Sequence, residues 1–389
     1  MINIDSVRAD IPAVGKLIHF NNAGTSLMPL PAYEAMINYQ QSEQDIGGYE
    51  TAEKFGELIF KFYAQAASLI GAKPEEIAYF DGATRAWQTF FYSLALKPGD
   101  RILTSYFDYG SNYVGFIDRV RREGVEIDVI DGDKNGELDL HAFEQAITDR
   151  TALISLSHIP TANGIVNPAK AIGNLAKQAE IPYLLDACQS AGQLDLNIKE
   201  LGCTALTTAG RKYLRGPRGT GFLYIDQSFL SGMDPVMLDQ QGVTLMGPDK
   251  FELDPTCRRF ENFEVSFASK VGFGRALQYA IDIGPKNIEK RVVELGEYCR
   301  RELSDKAGAQ IHDLGNYRGG IVMFSKPGVD PVKIRAMLSE QNINIWVSNG
   351  SGSLIEFQKR GIESLARASV HYFNTHEEVD RMVTLVSGL

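Results

Sequence analysis

A carboxylate, an amide and a primary amine stand close together in one stretch of the chain, at Asp186, Gln189 and Lys212. The apolar run Tyr183-Leu184-Leu185 delivers Asp186, and Gln189 follows three residues on. A second strand-like run, Ala205 to Thr208, leads through Gly210 to Lys212, with Arg211, Arg215 and Arg218 around it. Gly216, Pro217, Gly219 and Gly221 turn this cationic segment into a tight loop before Phe222-Leu223-Tyr224-Ile225 resumes as a strand. An acid closing one buried strand and a lysine just past the next suit an organic cofactor held between them. The acid would face a ring nitrogen, and the amine would form a Schiff base. A solvated basic turn and a helix-capping aspartate would use the same residues, so the rest of the chain has to decide. No Gly-x-x-x-x-Gly-Lys-Ser/Thr string occurs, which excludes a Walker loop.

The elements that would position such a cofactor can be read around this stretch. A strand over 77–80 stops at Asp81-Gly82, and a helix starts near Ala83-Thr84 with Ala86, Trp87, Phe90, Phe91 and Leu94 on one face. A glycine turn feeding a helix N-terminus presents free N–H groups and a positive dipole end, which suits a phosphate at Gly82, Ala83 and Thr84. Simple capping by Asp81 and Thr84 is the alternative. Past a strand over 101–105, Tyr109 could stack on a flat ring or serve only in packing. Near the N-terminus, Asn21, Asn22, Ala23 and Gly24 offer amides and approachable backbone N–H groups for a substrate carboxylate; Asx-turn chemistry explains the same residues without a ligand.

Helices over 113–123, 140–148 and 169–179 alternate with strands over 125–130 and 152–158. This spacing predicts an α/β fold with a doubly wound, largely parallel sheet, its ligands at the carboxyl ends of the strands. At 389 residues the chain exceeds one compact core. The expected division is an N-terminal arm (1–16), a large domain (17–259) and a smaller α+β domain (260–389). At the end of the large domain, 229–254 lacks periodicity and is expected to form loops over the site. A long helical tract from Ser266 to Ala307 follows, then a strand over 320–324, a helix over 331–341 and a strand over 344–348. The chain ends with a Ser/Gly-rich loop, a strand over 368–371 and a helix opened by the capping box Thr375/Glu378.

Composition narrows the function classes. A net charge of −10 argues against nucleic-acid and anionic-membrane partners, so the arginine clusters are expected to serve a small anionic ligand. The four cysteines, Cys188, Cys203, Cys257 and Cys299, are scattered and signal neither a disulfide framework nor a zinc site. No signal peptide and no membrane-length apolar run is visible, so a cytoplasmic enzyme is expected.

With these residues in order, the chain resembles the class V aminotransferase family of pyridoxal 5′-phosphate (PLP) enzymes, in the branch with cysteine desulfurases, selenocysteine lyases and isopenicillin N epimerase-like proteins. The motifs run Asn-Asn-Ala-Gly, Gly-Ala-Thr, Asp-x-x-Gln, Gly-Arg-Lys and Arg-Ala-Ser over nearly the whole chain. The resemblance implies PLP fold type I, a small-molecule amino-acid substrate and a homodimer. It assigns Lys212 to the covalent link and the α-proton, and Asp186 to the ring nitrogen. Gln189, helped by Thr161, would meet the ring phenolate, and Ala83, Thr84 and Arg211 would hold the phosphate. Tyr109 would stack on the ring where desulfurases have His. Arg367 would grip the substrate carboxylate, with Asn22 and Ala23 beside it. Phe263-Glu264 replaces the Gly-Thr with which many relatives reach the neighbouring subunit's phosphate.

The reaction turns on a missing thiol. Desulfurases of this kind carry a nucleophilic cysteine on a mobile loop before the carboxylate-binding arginine, whereas 347–361 here reads VSNGSGSLIEFQKRG. Persulfide transfer by that route is therefore disfavoured, and Cys188 reads as packing. β-Elimination from a cysteine-type substrate, as in C–S lyases, is the leading expectation, followed by transamination and then epimerisation at Cα. A PLP-binding scaffold without catalysis is the non-enzymatic alternative.

Overall fold

Alternation along the strands sets the layers. Tyr183 and Leu185 join one apolar cluster and Leu184 another; Ile77 and Tyr79 against Ala78 and Phe80, and Phe222 and Tyr224 against Leu223 and Ile225, divide the same way. A sheet that buries both faces needs near-continuous apolar strands, and that is what these runs supply. The computed structural model describes residues 2–389; Met1, first residue of the expected arm, lies outside them.

The central sheet has seven strands: β1 (Ile77–Phe80), β2 (Arg101–Ser105), β3 (Glu126–Ile130), β4 (Thr151–Ser157), β5 (Tyr183–Asp186), β6 (Ala205–Ala209) and β7 (Gly221–Ile225). Their order is β1-β7-β6-β5-β4-β2-β3, parallel except for β7, which runs against both neighbours. The expected doubly wound α/β sheet is therefore present. Two helices matter for the site. Helix α1 (Ala83–Ser93) starts directly after β1 and lays Trp87, Phe90 and Phe91 over β6 and β7. Helix α2 (Gly110–Glu123) begins just past β2 and ends at Gly124, whose φ of 72° provides the left-handed C-cap.

A second, four-stranded antiparallel sheet is formed by β8 (Gln310–Ile311), β9 (Ile321–Ser325), β10 (Trp346–Ser348) and β11 (Leu365–Ser369), in the order β8-β9-β11-β10. Its core packs Val322, Phe324, Ala366 and Ala368 against the helices Pro285–Ala307 and His376–Ser387. Ile18 and Phe20 belong to this same core, and the short strand Ile18–His19 pairs in parallel with Ile343–Asn344. The N-terminal helix Ile4–Ala9 is tied down by Arg8, which bonds Glu378 at 2.7 Å and the Phe373 carbonyl at 3.0 Å.

Several local expectations are corrected. The tract from Ser266 to Ala307 is two helices, parted at Gly284 with φ 92° and restarted by Pro285 at the first helical position. The segment 229–254 is not merely loop: Val243–Gly247 and Lys250–Leu253 pair as an antiparallel hairpin with Leu245, Met246 and Phe251 exposed. The Ser/Gly-rich loop ends in a short helix, α3 (Leu354–Lys359). The Thr375/Glu378 capping box, by contrast, is as expected, with both reciprocal bonds in place. No helix among the described residues is long and apolar enough to cross a membrane, and no metal-binding cluster is found among them.

Candidate active site

Five strand ends and two helix starts converge where the cofactor is expected. Asp186 is the last residue of β5; its Oδ1 accepts the Cys188 N–H at 2.9 Å and its Oδ2 accepts the Asn112 amide at 3.0 Å. Lys212 lies in the turn after β6, closed by Gly216 N–H to Gly210 O (2.8 Å) and Arg215 N–H to Lys212 O (2.9 Å). Its Nζ is 5.8 Å from the centre of the Tyr109 ring. Burial lowers the pKa of this amine; Cys188 and Asp186 push it up, and Arg211 and Arg367 push it down again. The net shift is downward, towards the neutral form that a base requires.

The cationic loop sends its arginines in three directions. Arg215 is buried, with Nε on the Leu27 carbonyl (2.8 Å) and Nη1 on the Tyr372 hydroxyl (2.6 Å), and is packed over Phe373. It is a structural pin, and its φ of 59° is one of few left-handed non-glycine conformations in the chain. Arg218 reaches Thr25 Oγ1 at 3.2 Å. Arg211 bonds the Gly24 carbonyl and faces the cavity.

That cavity has a volume of about 280 Å³, and Gly82, Ala83, Thr84, Tyr109, Arg211 and Lys212 all line it, together with Cys188. Gly82 caps α1 with no side-chain bond to the first-turn N–H groups, and the space its Cβ would fill is open. An anion can approach this helix end without obstruction. Asn262 and Glu264 border a second cavity beyond Asp81 and Arg85, and Phe263 is half exposed.

The other expected residues form a linked patch. Arg367 on β11 is buried and donates to the Thr161 carbonyl (2.9 Å), to Thr161 Oγ1 (3.2 Å) and to Asn21 Oδ1 (3.2 Å), while its Nε has no partner among the described residues. Burial pushes its pKa down to about 10. Gln189 donates to the Ala23 carbonyl (3.1 Å) and to Thr161 Oγ1 (3.3 Å), leaving a buried Oε1 without a partner among the described residues.

The Asn22 side chain has no donor left for a substrate carboxylate: its amide donates to the Ser369 and His19 carbonyls and its oxygen accepts the Ser26 hydroxyl. The Ala23 N–H is likewise committed to Ser369 Oγ at 3.0 Å. Asn21, one residue earlier, is the amide that touches Arg367. Asn112 and Asp108 were missed altogether; Asp108 stands two residues before α2 and Asn112 is the third residue of that helix.

The Ser/Gly loop closes this end of the site. Gly110 N–H donates to Gly352 O at 3.0 Å, and a Cβ on Gly352 would stand 2.9 Å from Thr161 Cγ2 and 3.4 Å from the Tyr109 ring. Behind the loop, buried Glu356 on α3 accepts from Asn163 Nδ2 (2.7 Å) and Arg360 Nη1 (2.6 Å).

A lysine past one central strand, an aspartate ending its neighbour and an uncapped helix start on the same side of the sheet define a PLP enzyme of fold type I. The donor set fits that group: a carboxylate for a ring nitrogen, an amine for an aldehyde, and free N–H groups with a guanidinium for a phosphate. The chain belongs to the class-V aminotransferase family, whose model matches residues 18–382. A protein of Methanothermobacter thermautotrophicus described as a probable cysteine desulfurase is 28% identical, covering 96% of this chain and 95% of its own. The apo structure of a cysteine desulfurase from Thermococcus onnurineus superposes with a TM-score of 0.92 at 28% identity, covering 100% of this chain and 99% of that one. The cystine C–S lyase C-DES, at 20% identity, shares the fold with a TM-score of 0.87, over 97% of this chain and 99% of its own.

Proposed function

We propose that this chain is a PLP-dependent β-eliminating enzyme, a C–S lyase acting on a cysteine-derived amino acid. The observation that carries this reading is the loop over 349–353, which brings glycine backbone, and no thiol, against Thr161 and Tyr109. The one cysteine lining the cavity, Cys188, has its thiol pKa pushed up by burial and by the Asp186 carboxylate, so it is held as an unreactive thiol.

When bound, PLP supplies the electron sink that makes the substrate's Cα–H acidic. The residues of this chain do the rest. Lys212 holds the cofactor and then, as a neutral amine, takes the α-proton. Asp186 keeps a proton on the ring nitrogen. The N-terminus of α1 and Arg211 anchor the phosphate, and Arg367, oriented by Thr161 and Asn21, binds the substrate carboxylate. The net reaction converts R–S–CH₂–CH(NH₃⁺)–COO⁻ and water to R–SH, pyruvate and ammonium. An isologous homodimer goes with this reading, as the state expected from the family.

The test is product analysis with cystine, cysteine and a cysteine S-oxide. Equimolar pyruvate and ammonia support elimination. Alanine with sulfur left on the protein would make the chain a desulfurase, and a keto acid without ammonia a transaminase.

A further inference from the structure

Asn112, the third residue of α2, stands between two buried carboxylates. Its Nδ2 donates to Asp108 Oδ1 and to Asp186 Oδ2, each at 3.0 Å. Both partners are acceptors, which settles the end of the amide that faces them. The other oxygen of Asp186 takes the Cys188 N–H, so the carboxylate is held from both sides and cannot rotate without losing a bond. Asp108 is itself fixed: Thr104 Oγ1 donates to Oδ2 at 2.7 Å, and Ser157 Oγ and the Tyr109 N–H donate to Oδ1, each at 2.7 Å. One buried carboxylate thus ties β2, β4 and the start of α2 together and aims the Asn112 amide at Asp186.

Resting on the assignment of Asp186 to the ring nitrogen, we propose that Asn112 is the positioning residue for Asp186, with Asp108 as the group that orients Asn112. The amide fixes the carboxylate in the plane it needs to meet a ring N–H, and it separates two negative charges that would otherwise face each other in a buried space. A bond from an amide to a buried carboxylate is among the stronger neutral-to-charged contacts, and its loss is felt by whatever Asp186 binds. The residue acts on the ring nitrogen only through Asp186.

The experiment measures reversible binding in the Lys212→Ala protein, by fluorescence, for two ligands: PLP and its 1-deaza analogue, with carbon in place of the ring nitrogen. Asn112→Leu is expected to weaken PLP about tenfold while the deaza analogue changes by less than about twofold. Asp108→Asn should act in the same direction and less. Asn112→Ser, which leaves room for water, carries the same expectation should the leucine variant fail to fold. Equal weakening of both ligands would make Asn112 a packing residue, and no change in either would remove it from the site; both overturn the proposal. If the Lys212→Ala protein itself shows no preference for PLP over the deaza analogue, the Asp186 assignment fails first.

Discussion

Gly352 lies so close to Thr161 that a single added methyl would stand 2.9 Å from the threonine Cγ2, while the Gly352 carbonyl holds the Gly110 N–H. The loop is therefore seated on the residue that orients Arg367. Gly352→Ala must push one of them aside, an overpacking cost of about 1–3 kcal/mol. A roughly tenfold rise in KM is expected. Adding Thr161→Ser, which removes the methyl and keeps the hydroxyl, should restore most of the loss. Steady-state kinetics of the two single variants and the double variant check this; a double variant no better than Gly352→Ala would refute the contact's role.

Among the described residues, Lys212 is the only lysine lining the cavity. Borohydride treatment of the yellow holoprotein should leave the cofactor on the peptide that contains Lys212, read by mass spectrometry. Lys212→Ala should be colourless after dialysis, with turnover lowered by roughly 10²–10⁴-fold or more. An adduct on any other lysine contradicts the assignment.

Arg367 spans Thr161 and Asn21 with two nitrogens, a reach that a single ammonium cannot reproduce. Arg367→Lys is expected to lower kcat/KM by roughly 10–100-fold, mostly through KM, since a charge-assisted bond to a carboxylate contributes about 1.5–3 kcal/mol. Unchanged KM with a fallen kcat would move Arg367 away from the carboxylate.

Glu356 carries a pH signature. Burial raises its pKa from 4.5 to about 7, against the lowering effects of its Asn163 and Arg360 bonds, and Asp313 adds to the rise. The folded protein holds this proton more tightly than the unfolded chain does. Its contribution is therefore full below about pH 4.5 and is lost as pH rises through about 7, by at most roughly 3 kcal/mol. Glu356→Gln keeps an acceptor for Asn163 and removes the titration. The difference in melting temperature between variant and wild type should grow in the variant's favour from pH 5 to pH 8. A difference that stays flat over that range would show that Glu356 does not titrate there.

The central sheet was legible because strands buried on both faces have to be largely apolar, and because Asp186 ends one such run and Lys212 follows three residues past the next. The helix start at Ala83 was equally plain, with Gly82 before it and one aromatic face after it. The choice between Asn21 and Asn22 was not legible. Adjacent amides differ only in the direction the backbone gives them, and that direction is set by a bridge from Asn21 to Ser369, nearly 350 residues away. The hairpin 243–253 was missed because its apolar side chains stay exposed and so lack the in–out alternation of a strand over a core. Asn112 was hidden by its ordinary appearance in a polar helix start; only Asp108 and Asp186 on either side of it reveal its position.

The pairing of Ile18–His19 with Ile343–Asn344, and the Ser369 N–H bonded to the Phe20 carbonyl at 2.7 Å, sew the first strand of the chain into its last sheet. On the ribosome, then, the central sheet can assemble while Asn21 and Ala23 still wait for β11, and non-local closure of this length comes late. A nascent chain stopped short of β11 would already carry Lys212 and Asp186 yet lack Arg367, the guanidinium proposed for the substrate carboxylate, so substrate recognition would wait for the last sheet to close.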